Sequence, residues 1–562
     1  MSKVNVEEVK DGSDYLRGDL AAELENDQPG LSDAAKTLLK FHGSYEQEDR
    51  DSRKERKKQN LEPLVFFMVR SRLPGGKMTP SQYLAHDELA DRYANGTVRL
   101  TSRQGIQFHG ILKGNLKSHI RSLNEALVTT LSACGDVNRN VMCCPAPIRD
   151  NPVRDEMQRM ADRVAEHLSP RTRAYHEIWL NGEKASPPAE TVEPIYGKHY
   201  LPRKFKTAIA LPEDNCVDVL SNDLGLVVSH KNGRVQGYNI YAGGGMGTTH
   251  GQAKTYPRLA SPICFATPDE AIDVCTAIVK VQRDFGNRQD RKQARLKYTI
   301  DRLGLDDFRA KVAEYYGKPL APYDGEKITG VDDHLGWNEQ GDGKLWFGAH
   351  VLSGRLYDDD KVSYKRTIRE IAKKFAVNFR VSATQNLLIC DVAPTDRSAI
   401  DAMLVAGGFK KPDQLSKLVR LGMSCVATPT CGLALAESER VFASLLANIH
   451  SEVAAAGLDC EDIVVHMTGC PNGCARPYNS DIGVVGRSPG KYVIHLGGNL
   501  LGDALAFHYA DLVPMDDIGM RLRGPLLLYK RDRRDGEGFG DFCRRAGKDA
   551  ILAADVAARA AS

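Results

Sequence analysis

Four cysteines near the end of the chain are grouped as metal ligands are. Cys425 and Cys431 form a C-x5-C pair, and Cys470 and Cys474 form a C-x3-C pair. Four thiolates on two turn-rich loops make the donor set of an iron–sulfur cluster, whose irons take cysteine ligands. Pro429, Pro471, Gly469 and Gly473 permit tight loops and a close backbone approach to sulfide atoms. Structural zinc favours two to four residues between the cysteines of each pair, so the five-residue gap fits it poorly. Zinc and unrelated buried cysteines are the other readings of this spacing.

Basic residues form a second pattern. Val98-Arg-Leu-Thr-Ser-Arg103 mixes two arginines with apolar neighbours. Leu201-Pro-Arg-Lys-Phe-Lys206 sets Lys204 and Lys206 two apart, on one face of an extended chain. Gly243-Gly-Gly-Met-Gly247 invites a dinucleotide reading, but it is not G-x-G-x-x-G, and no acidic ribose partner follows in a βαβ context. The chain thus carries no recognisable nicotinamide or flavin motif. Electrons for any redox chemistry are expected to come from elsewhere.

The elements that position these residues recur. LVFFMVRSRLPGG reads as a strand ending in a Pro-Gly-Gly turn, and GTVRLTSRQGIQFHGIL reads as two short strands. Downstream, KLWFGAHVLSGRL resembles the first stretch and FAVNFRVSATQNLLICDV the second, with Arg99 matching Arg380 and Gln104 matching Gln385. The strand with its Gly-rich turn from Tyr238 pairs with the one from Tyr492. This repetition predicts gene duplication and a pseudo-two-fold α/β (α+β), multi-domain protein. At the positions of Arg103, Gln107 and His109 the second half has Thr384, Leu388 and Cys390, so the polar chemistry is loaded on the first half.

Around the cysteines, TGCPNGCARPYNSDIGVVGRSPGKYVIHLGGN and MSCVATPTCGLALAESER resemble the signature of the nitrite/sulfite reductase family. The likeness extends through SDYLRGDL, KFHGSYEQEDRDSRKERKKQNLEP, RSRLPGG, VRLTSRQGIQFHGIL, VNRNVMC, PRTRAYHEIWLNGEK, YLPRKFK, DFGNRQDRKQARLKYTIDRLG and GEGFGDF, over almost the whole chain. It is specifically similar to the hemoprotein (beta) subunits of assimilatory NADPH-dependent sulfite reductases. The resemblance implies one siroheme and one [4Fe–4S] cluster, the cluster held by Cys425, Cys431, Cys470 and Cys474, with the Cys474 thiolate also the axial ligand of siroheme iron. It places Arg70, Arg139, Lys204 and Lys206 around sulfite, and Arg99, Arg103, Gln107, His109, Arg203 and Asn472 around siroheme. Arg295 stands where the family has Lys and joins the siroheme group with its contact geometry open. NADPH, FAD and FMN are expected only on a partner flavoprotein (alpha) subunit. A siroheme nitrite reductase and a non-catalytic metal-binding protein are the competing readings.

Hydrophobic residues make up 42% and charged residues 27% of the 562 residues, as in ordinary soluble proteins. A net charge of +3 from 76 basic and 73 acidic residues argues against nucleic-acid or membrane-surface partners. The N-terminus has early acids and no apolar core of a signal peptide, and no apolar run is long enough to span a bilayer, which places the protein in the cytoplasm. Thirteen cysteines in a reducing compartment suit metal ligation rather than disulfides. The expected organisation is an N-terminal arm over 1–60, partly disordered or lying on another surface and suited to partner docking. A first ferredoxin-like half-domain follows over 61–140, then a first siroheme and anion domain over 141–325. The repeat of the half-domain covers 326–415, and an iron–sulfur and siroheme domain covers 416–562.

Overall fold

A computed structural model describes residues 4–172, the strand pairs 179–180 and 183–184, and 193–560. Much of the PRTRAYHEIWLNGEK stretch lies outside the described residues. Four five-stranded sheets organise the chain, and they come in two matched kinds.

The first sheet runs Ser44–Glu48, Val65–Arg70, Ile106–Ile111, Val98–Leu100 and Arg355–Leu356. Its counterpart runs Gly336–Glu339, Leu345–Ala349, Leu387–Val392, Asn378–Val381 and Lys77–Met78. Each therefore borrows its last strand from the other half of the chain: Arg355 pairs with Arg99, and Lys77 with Arg380. Glycines make the exchange possible. A side chain on Gly76 would meet the carbonyl oxygen of Val381 at 2.2 Å, and one on Gly354 would meet that of Leu100 at 2.2 Å; both have φ above +70°. The two sheets share one apolar core, which includes Phe67, Phe108, Phe347 and Phe379.

The other kind of sheet mixes parallel and antiparallel pairs. One runs Ser261–Ala266, Arg234–Ala242, Leu224–Lys231, Thr207–Ala210 and Met142–Cys143. The other runs Met423–Ser424, Val465–Thr468, Ile482–Ser488, Lys491–Leu496 and Phe507–Pro514. Tyr238 and Tyr492 occupy corresponding strands and are both buried. The helix Ala271–Phe285 is a core element of the first sheet's unit, and Phe442–Ala455 of the second's.

The first sixty residues, expected as an arm partly disordered or lying on another surface, lie against the rest of the chain from Ser44 by strand pairing. Ser44–Glu48 forms the edge strand of the first sheet, paired antiparallel with Val65–Arg70. The helix Asp33–Leu39 buries Ala35, Leu38 and Leu39, and Phe41 packs against Tyr200. Their apolar residues are few but lie on one face, and strand pairing supplies the remaining order through backbone hydrogen bonds.

Candidate functional site

The cysteine loops follow the first two strands of the last sheet. Cys425 comes directly after Met423–Ser424, and Cys470 two residues after Val465–Thr468. The Cys425 N–H donates to the Met467 carbonyl at 3.1 Å, so the loops leave the sheet side by side. The Gly469 N–H donates to Cys425 Sγ at 3.3 Å, and Asn472 Nδ2 to Cys470 Sγ at 3.4 Å. Such donors stabilise thiolates. The Cys431 loop is pinned from outside, because Arg50 donates to the carbonyls of Cys431 at 3.1 Å and Ala434 at 2.6 Å.

Burial, and after it the neighbouring Cys474, pushes the thiols of Cys425, Cys431 and Cys470 up, that of Cys470 to about 11. These three thiols become thiolates only with positive charge among them, as bound iron provides. Four neighbouring cysteines on two adjoining loops are the donor set of a multi-iron cluster.

Cys474 is exposed into a pocket lined by Ser102, Arg103, Lys206, Asn472 and Arg476, among others. Gly247 and Gly473 also line it, and their lack of side chains keeps the walls open: a Cβ on Gly247 would meet the Asn472 carbonyl at 3.1 Å. Arg103 donates to the carbonyls of Asn140 and Thr207 at 3.3 and 3.4 Å and to Asn222 Oδ1 at 2.6 Å. Burial, then Arg139 and Arg476, lowers its pKa to about 9.

Lys204 and Lys206 flank the buried Phe205, whose backbone bridges to Asn138 in parallel register. Both ammonium groups therefore face away from the core, toward the arginines. Burial, then Arg203, Arg139 and Arg295, lowers Lys204 to about 7. Burial, then Arg103, Lys204 and Arg295, holds Lys206 well below the ordinary lysine value. Partly buried cations gathered in this way, with Asp223 and Asp218 their nearby carboxylates, suit the binding of an anion.

Beside this group runs a polar chain. Arg70 donates to Cys134 Sγ at 3.1 Å and to Gln107 Oε1 at 2.9 Å. Gln107 Nε2 lies 3.1 Å from His109 Nε2, and His109 Nδ1 lies 3.3 Å from Gln47 Oε1. Burial, then Arg355, Arg99 and Arg70, lowers the pKa of His109 far enough to keep its ring neutral. Arg139 donates to the Gly135 carbonyl at 3.2 and 3.3 Å. Burial lowers Arg203 to about 10.

Two of the expected siroheme arginines have carboxylate partners within the protein. Arg99 donates to Glu439 Oε2 at 2.9 Å and to the Ser424 carbonyl at 3.1 Å. Arg295 binds Asp223 through two hydrogen bonds of 3.2 and 2.6 Å and also donates to the Gly244 carbonyl. Asp223 in turn accepts from the Lys206 N–H at 3.1 Å, so Arg295 acts on the pocket through that carboxylate.

Arg476 and Lys297 escaped the sequence reading. Arg476 pairs with Asp218 and donates to the carbonyls of Ser102 and Ala383 at 3.3 Å, tying both halves together at the pocket wall. Its place two residues after Cys474 was the available signal. Lys297 is buried and donates to the carbonyls of Gly245 and Gly247 at 3.0 and 2.9 Å. The glycine run that mimicked a nucleotide loop thus lends its carbonyls to Lys297 and Arg295.

Residues 59–126 and 338–407 both match the ferredoxin-like half domain of nitrite and sulfite reductases, and 159–320 match the nitrite and sulphite reductase 4Fe-4S domain. The chain belongs to the nitrite and sulfite reductase family. It is 45% identical to the sulfite reductase [NADPH] hemoprotein beta-component of Staphylococcus haemolyticus, over 96% of this chain and 95% of that one. The proteins of the same name from Anoxybacillus flavithermus and Myxococcus xanthus are 47% and 45% identical over 97% and 96% of this chain, and over 95% and 96% of their own lengths. The solved structure of the Mycobacterium tuberculosis NirA protein superposes with a TM-score of 0.78 at 25% identity, over 98% of this chain and 97% of that one.

Proposed function

We propose that this chain is the hemoprotein component of an assimilatory sulfite reductase and reduces sulfite to sulfide with six electrons. The observation that carries this reading is Cys474, which belongs to the four-cysteine group and also opens into the cationic pocket of Arg103 and Lys206. Siroheme and a [4Fe–4S] cluster, when bound, supply the electrons and the iron to which sulfur binds. Cys425, Cys431, Cys470 and Cys474 would hold the cluster, and Cys474 would also ligate siroheme iron.

The protein's own residues do the rest. The many carboxylates of siroheme call for cations, which Arg103, Arg203 and Arg476 supply, while Gln107, His109 and Asn472 offer neutral hydrogen bonds. Arg70, Arg139, Lys204 and Lys206 surround the anion. Removing three oxygens as water takes protons, and Lys204 and Lys206 suit that task because burial lowers both pKa values, that of Lys204 to about 7. Arg70 and Arg139 offset the negative charge of the anion.

Electrons would come from NADPH through a separate component, as the words NADPH and beta-component in the name of the relatives suggest; that partner would be a flavoprotein (alpha) subunit carrying FAD and FMN. The thirteen cysteines are all free thiols, which suits a cytoplasmic setting. The isolated holoprotein is expected to reduce sulfite with reduced methyl viologen but not to oxidise NADPH. NADPH oxidation without a partner would overturn the division of labour. Replacing Cys431 with Ser is expected to remove most iron and acid-labile sulfide; full retention would overturn the ligand set.

A further inference from the structure

The first half carries its own buried cysteine site, at the position that mirrors the iron–sulfur loops. Met142 pairs with Ala208 between parallel strands, as Met423 pairs with His466. Cys144 lies two residues past Met142, as Cys425 lies two past Met423. Cys216 lies eight past Ala208, as Cys474 lies eight past His466. Two of the four positions that hold cysteine at the proposed cluster thus hold cysteine here as well. The other donors differ, because Asp214 and His334 complete this group.

We propose that Cys144, Asp214, Cys216 and His334 form a structural zinc site. All four are buried, and their donor atoms lie within 4.8 Å of one another. Cys144 Sγ lies 2.8 Å from Asp214 Oδ2 and 3.4 Å from His334 Nε2, and His334 Nε2 lies 3.2 Å from Asp214 Oδ2. Tetrahedral zinc with bonds of about 2.3 Å to sulfur and 2.0–2.1 Å to nitrogen or oxygen sets donors about 3.3–3.8 Å apart. The group needs only a small expansion to admit the ion.

Charge and surroundings agree with this assignment. Two thiolates and a carboxylate carry three negative charges. Zinc cancels two, and Arg154, whose Nη1 lies 3.1 Å from Cys144 Sγ, cancels the third. Asp214 Oδ1 and His334 Nδ1 are buried without hydrogen-bond partners. Asp332 Oδ2 stands 3.7 Å from that ring nitrogen, the place of the carboxylate that orients a zinc-bound histidine. His334 holds a left-handed backbone at φ 55°, and Gly348 admits its carbonyl where a Cβ would meet it at 1.7 Å. The ion would fasten the start of the second half to the loops of the first.

Elemental analysis of the full-length holoprotein, purified without a metal-affinity step, tests this. About one zinc per chain is expected beside the iron, with apparent structural-site affinity. Cys216→Ser and Asp214→Asn are each expected to lose most of that zinc while keeping iron and sulfide. Should either variant fail to fold, growth with cobalt should give the wild-type protein thiolate-to-cobalt absorption bands. Iron-replete wild-type protein without zinc, and without those bands after cobalt loading, would overturn the proposal. So would peptide mapping of the unreduced protein that finds Cys144 joined to Cys216 in a disulfide.

Discussion

Gln104 and Gln385 hold the same left-handed backbone conformation, at φ 53° and φ 68°, and perform the same task in the two halves. The Gln104 side chain accepts from the Cys143 N–H at 2.8 Å and donates to the Val381 carbonyl at 3.0 Å. That of Gln385 accepts from the Ser424 N–H at 3.3 Å and donates to the Ser424 carbonyl at 2.9 Å. Each glutamine fixes the residue before a cysteine, Cys144 in one half and Cys425 in the other. The duplication therefore reaches past the fold into the placement of sulfur.

Replacing Gln385 with Ala leaves both backbone groups of Ser424 without these partners, at a cost of about 1–3 kcal/mol. A lower melting temperature and reduced iron content are expected. Unchanged iron content would show that Ser424 does not need this clamp to present Cys425.

Glu439 accepts from Arg99 and Arg355 and so joins the exchanged strands to the cysteine loop region. Burial raises its pKa, but Arg355 and Arg99 outweigh burial and hold it below the ordinary value of 4.5. A depressed carboxylate adds stability that is present above the unfolded value and is lost as pH falls through the folded one. Glu439→Gln is therefore expected to cost about 3–5 kcal/mol at pH 7, where it leaves buried arginine charge uncompensated. Urea unfolding should show the gap between variant and wild type narrowing below pH 4.5. A gap independent of pH would contradict the pairing.

Arg295 is expected to act through Asp223. Arg295→Lys keeps one charged hydrogen bond and should retain near-normal stability and siroheme content. Arg295→Met strands a buried carboxylate, at about 3–5 kcal/mol. Equal effects of the two variants on melting temperature would contradict this account.

The duplication, the four cysteines and most of the cationic residues were legible because each is written in local sequence. Arg99 and Arg380 could be aligned by eye, as could the strand–turn repeats. Other features were not legible because they depend on distant partners. Nothing local marks Asp223 as the partner of Arg295 or Glu439 as that of Arg99. The N-terminal stretch read as an arm because its composition is polar. Its order comes from pairing with Val65–Arg70 and from Gln47 and Arg50 reaching His109 and the Cys431 loop. The cluster of Cys144, Asp214, Cys216 and His334 spans nearly two hundred residues, so no spacing rule could have found it.

Lys206→Ala is expected to leave iron and siroheme bound and to lower sulfite turnover roughly a hundredfold, the scale of lost proton donation. Single-turnover and steady-state rates with reduced viologen check this. Normal turnover would remove Lys206 from the reaction.

The central claim is that the cysteine group and the cationic pocket together form a six-electron sulfite site. The most direct measurement counts electrons against product. Holoprotein, reduced methyl viologen and limiting sulfite are mixed, and viologen oxidised is compared with sulfide released, with nitrite run in parallel. The account predicts intense visible siroheme bands, six viologens oxidised per sulfide formed, and better turnover of sulfite than of nitrite at low substrate. Absence of those bands, sulfide falling far short of that ratio, or preferential turnover of nitrite would contradict it.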